Sequence, residues 1–281
     1  MEFRKLHPDL GAEVIGFDVI DGRDPTDIAA LKAAYGEYQF LLFRCDEHIA
    51  PERHAEIAGW FGPVVNDGDD MTIMLDNANG TGSGRLPFHS DNTYTDSPPL
   101  GISLHAVALP QGGSRTIYVS GIGAWSRLSK DEQERLASMT LQHRYVSQYT
   151  ERPLEFVARH PLRRLHERTG RPILAIDEAH ADRICDLDEQ ESAALIKDLL
   201  EALYRPENIY CHDWQLHDLI VWDNIALQHS RPDIADPAQG SRILQRVTLA
   251  EISFRSQIEQ ALAARAEQDA NASDKPAEQH A

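Results

Sequence analysis

The chain has 281 residues, a formal net charge of −18 and a pI near 5.0. Nucleic acids and anionic membrane surfaces are bound through clustered Lys and Arg, so this balance argues against both as partners while leaving a small anion open. Cys45, Cys185 and Cys211 are few, odd in number and without a CxxC pair, which points to a reducing compartment and no disulfide framework.

In chain order, Ile28, Leu31 and Tyr35 fall at helical spacing within 26–35, with Thr26 as the expected N-cap. Residues 39–43 (QFLLF) read as a buried strand, and Pro51 suits the first position of a helix running to about Trp60. Residues 66–86 are rich in Gly, Asn and Asp around the apolar run TIML, the pattern of a strand followed by a long functional loop. Residues 100–109 alternate as a strand, with Leu100, Ile102, Leu104, Ala106 and Ala108 on one face. A turn at Gly112-Gly113 leads to the strand TIYVS. A surface helix is expected at 129–139, a hairpin turning at Thr169-Gly170 within 161–176, and a strong helix at 188–204. Strands follow at 219–222 and 243–250.

Many short strands with helices mostly outside them predict a mainly β, α+β fold of sandwich or jelly-roll type. One domain is expected over 1–265, with 266–281 as a polar, disordered tail. There is no GxGxxG or GxxxxGK[ST], which argues against a nucleotide-binding α/β fold. No run approaches the ~18 apolar residues of a membrane span. The first residues lack the apolar core of a signal peptide. A cytoplasmic location is expected.

His-x-Asp is a natural metal pair, because residues i and i+2 of an extended segment share a face. Two His and one carboxylate on one side of iron leave three positions open for chemistry. The pattern occurs at His7/Asp9, His89/Asp91 and His180/Asp182, and with Glu at His54/Glu56. The first lies near the N-terminus, and the last sits in a predicted helix, where i and i+2 diverge. His89/Asp91 alone combines a loop before it, a strand after it and a suitable distal histidine, His229, behind the strand LIVW and the turn Asp223-Asn224. A hydrogen-bonded surface pair is the competing reading. Arg242 and Arg246 lie four apart on the last strand, roughly 13 Å from each other on one face with Leu244 and Thr248. If buried, they need anionic partners. If not, they are surface arginines.

Taken together, these segments resemble the taurine dioxygenase and 2,4-dichlorophenoxyacetate dioxygenase family of Fe(II)/2-oxoglutarate enzymes. The matching stretches are LGAEVIGFDV, QFLLFR, FHSDNTYTDSPP, ALPQGGSRTIYVS, HPLRRLHERTGRPIL, LIVWDNIALQHSRPD and SRILQRVTLAE, in the family's order along nearly the whole chain. The resemblance implies a double-stranded β-helix (jelly roll) with iron held by His89, Asp91 and His229. It implies Fe(II), with 2-oxoglutarate and O2 as co-substrates. Arg242 matches the arginine that clamps the distal carboxylate of 2-oxoglutarate, for which a planar guanidinium is suited. Thr116 matches a threonine that helps hold the co-substrate. Arg246 matches a position facing either the substrate anion or the co-substrate's other carboxylate. The family writes Gly-Gly-acidic-Thr where this chain reads Gly112-Gly113-Ser114-Arg115-Thr116, so Arg115 is an additional cation, either near the site or on a solvated turn.

The implied reaction is oxidation of a substrate C–H bond with release of succinate and CO2. Related halogenases replace the carboxylate at Asp91 with a small residue, so Asp91 favours hydroxylation, or an outcome derived from it. Arg246, Arg85 and Arg115 suggest an anionic small molecule, a carboxylate, sulfonate or phosphate, with Tyr94 and Asn77 as further contacts. Family resemblance also implies a homo-oligomer. The alternatives are a jelly-roll binding or sensor protein without turnover, and a zinc hydrolase on the same ligands. The zinc reading gives no role to the Arg242 strand.

Overall fold

The computed structural model describes residues 1–66, 71–77, 85–147, 153–231 and 240–273. The N-terminal part runs β1 (Glu2–Lys5), β2 (Ala12–Ile15), α1 (Pro25–Tyr38), β3 (Phe40–Phe43) and α2 (Pro51–Gly59). The cap of α1 is Asp24 rather than Thr26: its carboxylate accepts the Thr26 N–H at 2.7 Å, and Pro25 fills the first helical position. The helix outlasts the expected 26–35 and ends where Gln39 turns left-handed at φ 58°. The middle runs β4 (Val64–Val65), β5 (Ile73–Asp76), β6 (Leu86–His89), β7 (Gly101–Ala108), β8 (Arg115–Ser120), α3 (Gly121–Arg127) and α4 (Lys130–Leu136). Strand β5 contains most of the TIML run, whereas 67–70 and 78–84 of the expected loop lie outside the described residues.

Next come β9 (Thr140–Ser147), β10 (Leu154–Pro161), the hairpin β11 (Arg163–Leu165) and β12 (Pro172–Leu174), and β13 (Ala181–Ile184). The chain continues with α5 (Glu189–Leu203), β14 (Ile209–Asp213), β15 (Leu219–Asp223), β16 (Leu227–Arg231), β17 (Ile243–Leu249) and α6 (Phe254–Ser273). Helix α6 corrects one expectation, because it carries residues 266–273 of the supposed disordered tail; 274–281 lie outside the described residues.

Two sheets form the jelly roll. The major sheet orders β1-β2-β3-β15-β7-β17-β4, with β5 also on β17, and the minor sheet orders β14-β8-β16-β6. Between them Phe40, Leu42, Ile102, Leu104, Ile220 and Leu244 of the major sheet meet Tyr118 and Leu227 of the minor one. The major sheet's other face packs on α1 and α2 through Leu41, Phe43, Val221 and Val247. A sheet covered on both faces reads as continuous apolar runs, which is why QFLLF and LIVW lack alternation. The same double cover buries Ser103 and His105 on the face of β7 that a one-sided strand would leave wet. Strands β9, β10 and β13 form a third sheet, and α5 packs on Leu141 and Ile184 of it.

Candidate active site

The minor sheet brings the two histidines together. His89 and His229 are direct antiparallel partners of β6 and β16, and their rings lie 4.2 Å apart. His89 is the last residue of its strand, so Asp91 is not delivered by strand alternation. The chain turns instead, with Asn92 left-handed at φ 54°. Asn tolerates that region better than most residues. Asn224 pins the turn: its Oδ1 accepts the Asp91 N–H at 2.8 Å, and its Nδ2 donates to the carbonyls of Asp91 at 3.1 Å and Pro99 at 3.0 Å. Asp223 caps the loop that carries Asn224, accepting the N–H groups of Ile225 and Ala226, and is itself held by His166 and Arg168.

Asp91 Oδ1 lies 3.2 Å from His89 Nε2 and 3.8 Å from His229 Nε2. Among the described residues, these three are the group whose ligand atoms all lie within 4.8 Å of one another. His89 Nδ1 donates to the Pro87 carbonyl at 2.9 Å, which leaves Nε2 as the free lone pair toward the centre. Burial and the neighbouring His89 push the His229 imidazole down to about 3, so it is neutral at ordinary pH, the form a metal ligand requires. Burial raises the Asp91 carboxyl, but Arg246 and the two imidazoles outweigh it and hold it well below the usual range. Two neutral-capable nitrogens and a carboxylate, buried and converging, fit an Fe(II) centre with an open face.

Arg246 Nη2 sits 2.7 Å from Asp91 Oδ2, and both residues line a cavity of about 1010 Å³. Its walls include Leu75, Tyr94, Tyr145, His180, Phe254, Ile258 and Leu262. Arg242 is only 4% exposed and donates through Nε to Ser114 Oγ at 2.7 Å. Burial lowers it to about 10, still charged. Thr116 is buried on β8, where its hydroxyl accepts the Trp214 indole N–H at 2.9 Å. Tyr118 of the same strand is a register partner of His229, and its hydroxyl is buried.

The surface reading of the last-strand arginines is therefore overturned, while other candidates fall elsewhere. Arg115 is exposed and paired with Asp213 at 3.0 Å between β8 and β14, which makes it a solvated strand-end cation, away from the cavity. Arg85 is 3.9 Å from Glu178, on an outer groove beside α5. Asn77 is buried and hydrogen-bonds the Arg242 backbone in both directions, at 2.9 and 3.3 Å, so it seats Arg242 and does not line the cavity. Tyr94 does line it. The sequence reading missed His180, Tyr145 and the α6 face. Phe254, Ile258 and Leu262 recur every four residues, a helical stripe that was there to be read.

The family model for taurine catabolism dioxygenase TauD, TfdA family, matches residues 2–248. The chain belongs to the TauD/TfdA family. It is 30% identical over 260 residues to an (S)-phenoxypropionate/alpha-ketoglutarate-dioxygenase of Sphingobium herbicidovorans, covering 80% of this chain and 86% of that one. It is 25% identical to an alkylsulfatase of Acinetobacter baylyi, covering 89% and 85%. A solved taurine dioxygenase from Burkholderia xenovorans superposes with a TM-score of 0.78 at 26% identity, covering 89% of this chain and 90% of that one. The jelly roll, the dioxygenase class and dependence on Fe(II), 2-oxoglutarate and O2 thus follow for this TauD/TfdA protein. No helix among the described residues is long and apolar enough to cross a membrane.

Proposed function

We propose that this dioxygenase hydroxylates a C–H bond of a small organic anion, releasing succinate and CO2, with Arg246 as the substrate's charge partner. The observation that carries the reading is the Arg246 guanidinium, placed beside Asp91 in the lining of a cavity that also presents Leu75, Tyr94, Phe254, Ile258 and Leu262. Such a cation in low-dielectric surroundings is a strong recognition element for a carboxylate, sulfonate or sulfate. Relatives named for phenoxypropionate, sulfonate and sulfate ester substrates are consistent with it.

His89, Asp91 and His229 would hold Fe(II), which with 2-oxoglutarate supplies the O2-dependent oxidation. Arg242, its backbone seated by Asn77 and its Nε bonded to Ser114, would hold the distal carboxylate of 2-oxoglutarate. Thr116 and Tyr118 present hydroxyls on the same strand. The rings of Trp222 and Tyr118 pack on His229, at 5.0 and 6.3 Å, and fence that side against water. The retained Asp91 carboxylate supports hydroxylation. Three free thiols suit a reducing, cytoplasmic setting, and a homo-oligomer is the assembly we propose.

The test is succinate release with Fe(II), 2-oxoglutarate and a panel of aryloxyalkanoates, alkyl sulfates, alkanesulfonates and amino acids. At least one anion should stimulate release several-fold. If none does, the proposed substrate class is wrong.

A further inference from the structure

His180 stands in a His-x-Asp pattern with Asp182, but its partner in the fold is Asp177. The His180 N–H donates to Asp177 Oδ1 at 2.8 Å, and the ring Nδ1 lies 3.1 Å from the same oxygen. Thr93 donates its hydroxyl to Asp177 Oδ2 at 2.9 Å. Asp182 is engaged elsewhere, accepting from Gln142 at 2.7 Å. Asp177 is 2% exposed. Burial pushes its carboxyl up, but the His180 hydrogen bond and the nearby imidazoles outweigh that and keep it charged.

A buried carboxylate bonded to Nδ1 selects the tautomer that carries the proton there. The lone pair is then on Nε2, at the opposite edge of the ring. The Nδ1 edge is turned to Asp177 and to the Thr93 hydroxyl, 3.2 Å away, and His180 lines the cavity. Nε2 has no partner among the described residues. The ring stands edge-on to His89, with centroids 6.2 Å apart, and to Tyr94 at 4.8 Å. The reaction derived so far makes no use of this acceptor. Behind it is a fixed negative charge, which strengthens it toward an N–H or O–H.

The rest of the wall sets the company such a group would keep. Phe254, Ile258 and Leu262 present one face of α6, and Tyr94 stacks on Tyr145 at 4.5 Å. The other carboxylate of the lining besides Asp91 is Glu259, which pairs with Arg255 at 3.4 Å.

We infer that His180 is a substrate-binding residue of this enzyme, and that the substrate is an aryl- or alkyl-bodied anion carrying an N–H or O–H donor that bonds His180 Nε2 while Arg246 holds its charge. The inference rests on the organic-anion reading above and narrows it. Asp177 and Thr93 are positioning residues, since they act through His180.

Matched pairs of probes test it: N-phenylglycine against phenoxyacetate, and N-hexylsulfamate against hexyl sulfate. Each pair exchanges an N–H for an ether-type oxygen at nearly constant shape. Binding is measured by calorimetry to the protein loaded with Zn(II) and N-oxalylglycine, so turnover is not needed. The N–H member of at least one pair should bind about fivefold tighter, the worth of one neutral hydrogen bond. His180→Leu should erase that preference, and His180→Phe should do the same if the leucine variant melts early. A structural role alone would lower the melting temperature of both variants and leave the preference intact. The inference is overturned if the members of both pairs bind the wild type equally, if the preference survives in the variants, or if none of the four binds. An anion that drives succinate release without any N–H preference would remove His180 and leave the organic-anion reading standing.

Discussion

Asn224 fixes the backbone of Asp91, the carboxylate of the proposed metal centre. Two of its hydrogen bonds tie Asp91 to the loop after β15, and a third goes to the Pro99 carbonyl. Outer partners of this kind are worth roughly 10- to 100-fold in metal affinity. Asn224→Ala should therefore weaken Mn(II) binding by that order, read by titration, with the melting temperature checked separately. Unchanged affinity would mean that the Arg246 pair alone positions Asp91. His89→Ala should abolish Fe(II)-dependent succinate formation, and turnover at the wild-type rate would remove His89 from the centre. Arg246→Ala should raise KM for the stimulating anion tenfold or more while KM for 2-oxoglutarate holds, by loss of a charge-assisted hydrogen bond. The opposite split would give Arg246 to the co-substrate. That His89, Asp91 and His229 meet, and that Arg242 is buried on the last strand, was legible from the order of the motifs along the chain, whereas the turn that brings Asp91 in was not. Asn77 and Arg115 were misplaced because nothing local says that one bonds the Arg242 backbone or that Asp213 lies across from the other.

At the scale of elements, type and order were readable wherever periodicity or length was strong, as in α5, β7 and the β11–β12 hairpin. Boundaries depended on capping chemistry. In α1 the sequence Asp24-Pro25-Thr26 offers two oxygen caps, and Pro25 decides between them: it suits the first helical position, which leaves Asp24 just outside as the cap. Asp24→Ala should cost about 1 kcal/mol in urea unfolding, whereas Thr26→Ala should stay within about 0.5 kcal/mol. Equal costs would return the cap to Thr26. Helix α6 escaped notice because its polar composition masked the four-residue stripe. That stripe finds its apolar partners, Tyr94, Tyr145 and Phe156, in distant segments.

Across the whole molecule, imidazoles are built into the interior in neutral form. His54 bonds Ser103 at 2.8 Å and Gln245 at 2.9 Å, and burial with two nearby imidazoles lowers it to about 3. His105 and His143 are lowered to about 4 and His229 to about 3, in each case mainly by burial. Their folded values lie below the unfolded value of 6.5, so the unfolded chain takes up protons first. Each therefore contributes stability that is present above pH 6.5 and lost as the pH falls, toward about 4 for His105 and His143 and about 3 for His54 and His229. His89 has the opposite sign, because the Asp91 hydrogen bond and charge prevail over burial and raise it. The lowered group outnumbers it, so the metal-free protein should lose stability steadily between pH 6.5 and 5, before most carboxylates titrate, by up to about 1.4 kcal/mol per pH unit for each buried imidazole. Urea unfolding at fixed pH measures this slope. His54→Gln, which keeps a hydrogen-bonding side chain but cannot titrate, should flatten it. A slope that is the same in the variant would mean that His54 opens to solvent before it protonates.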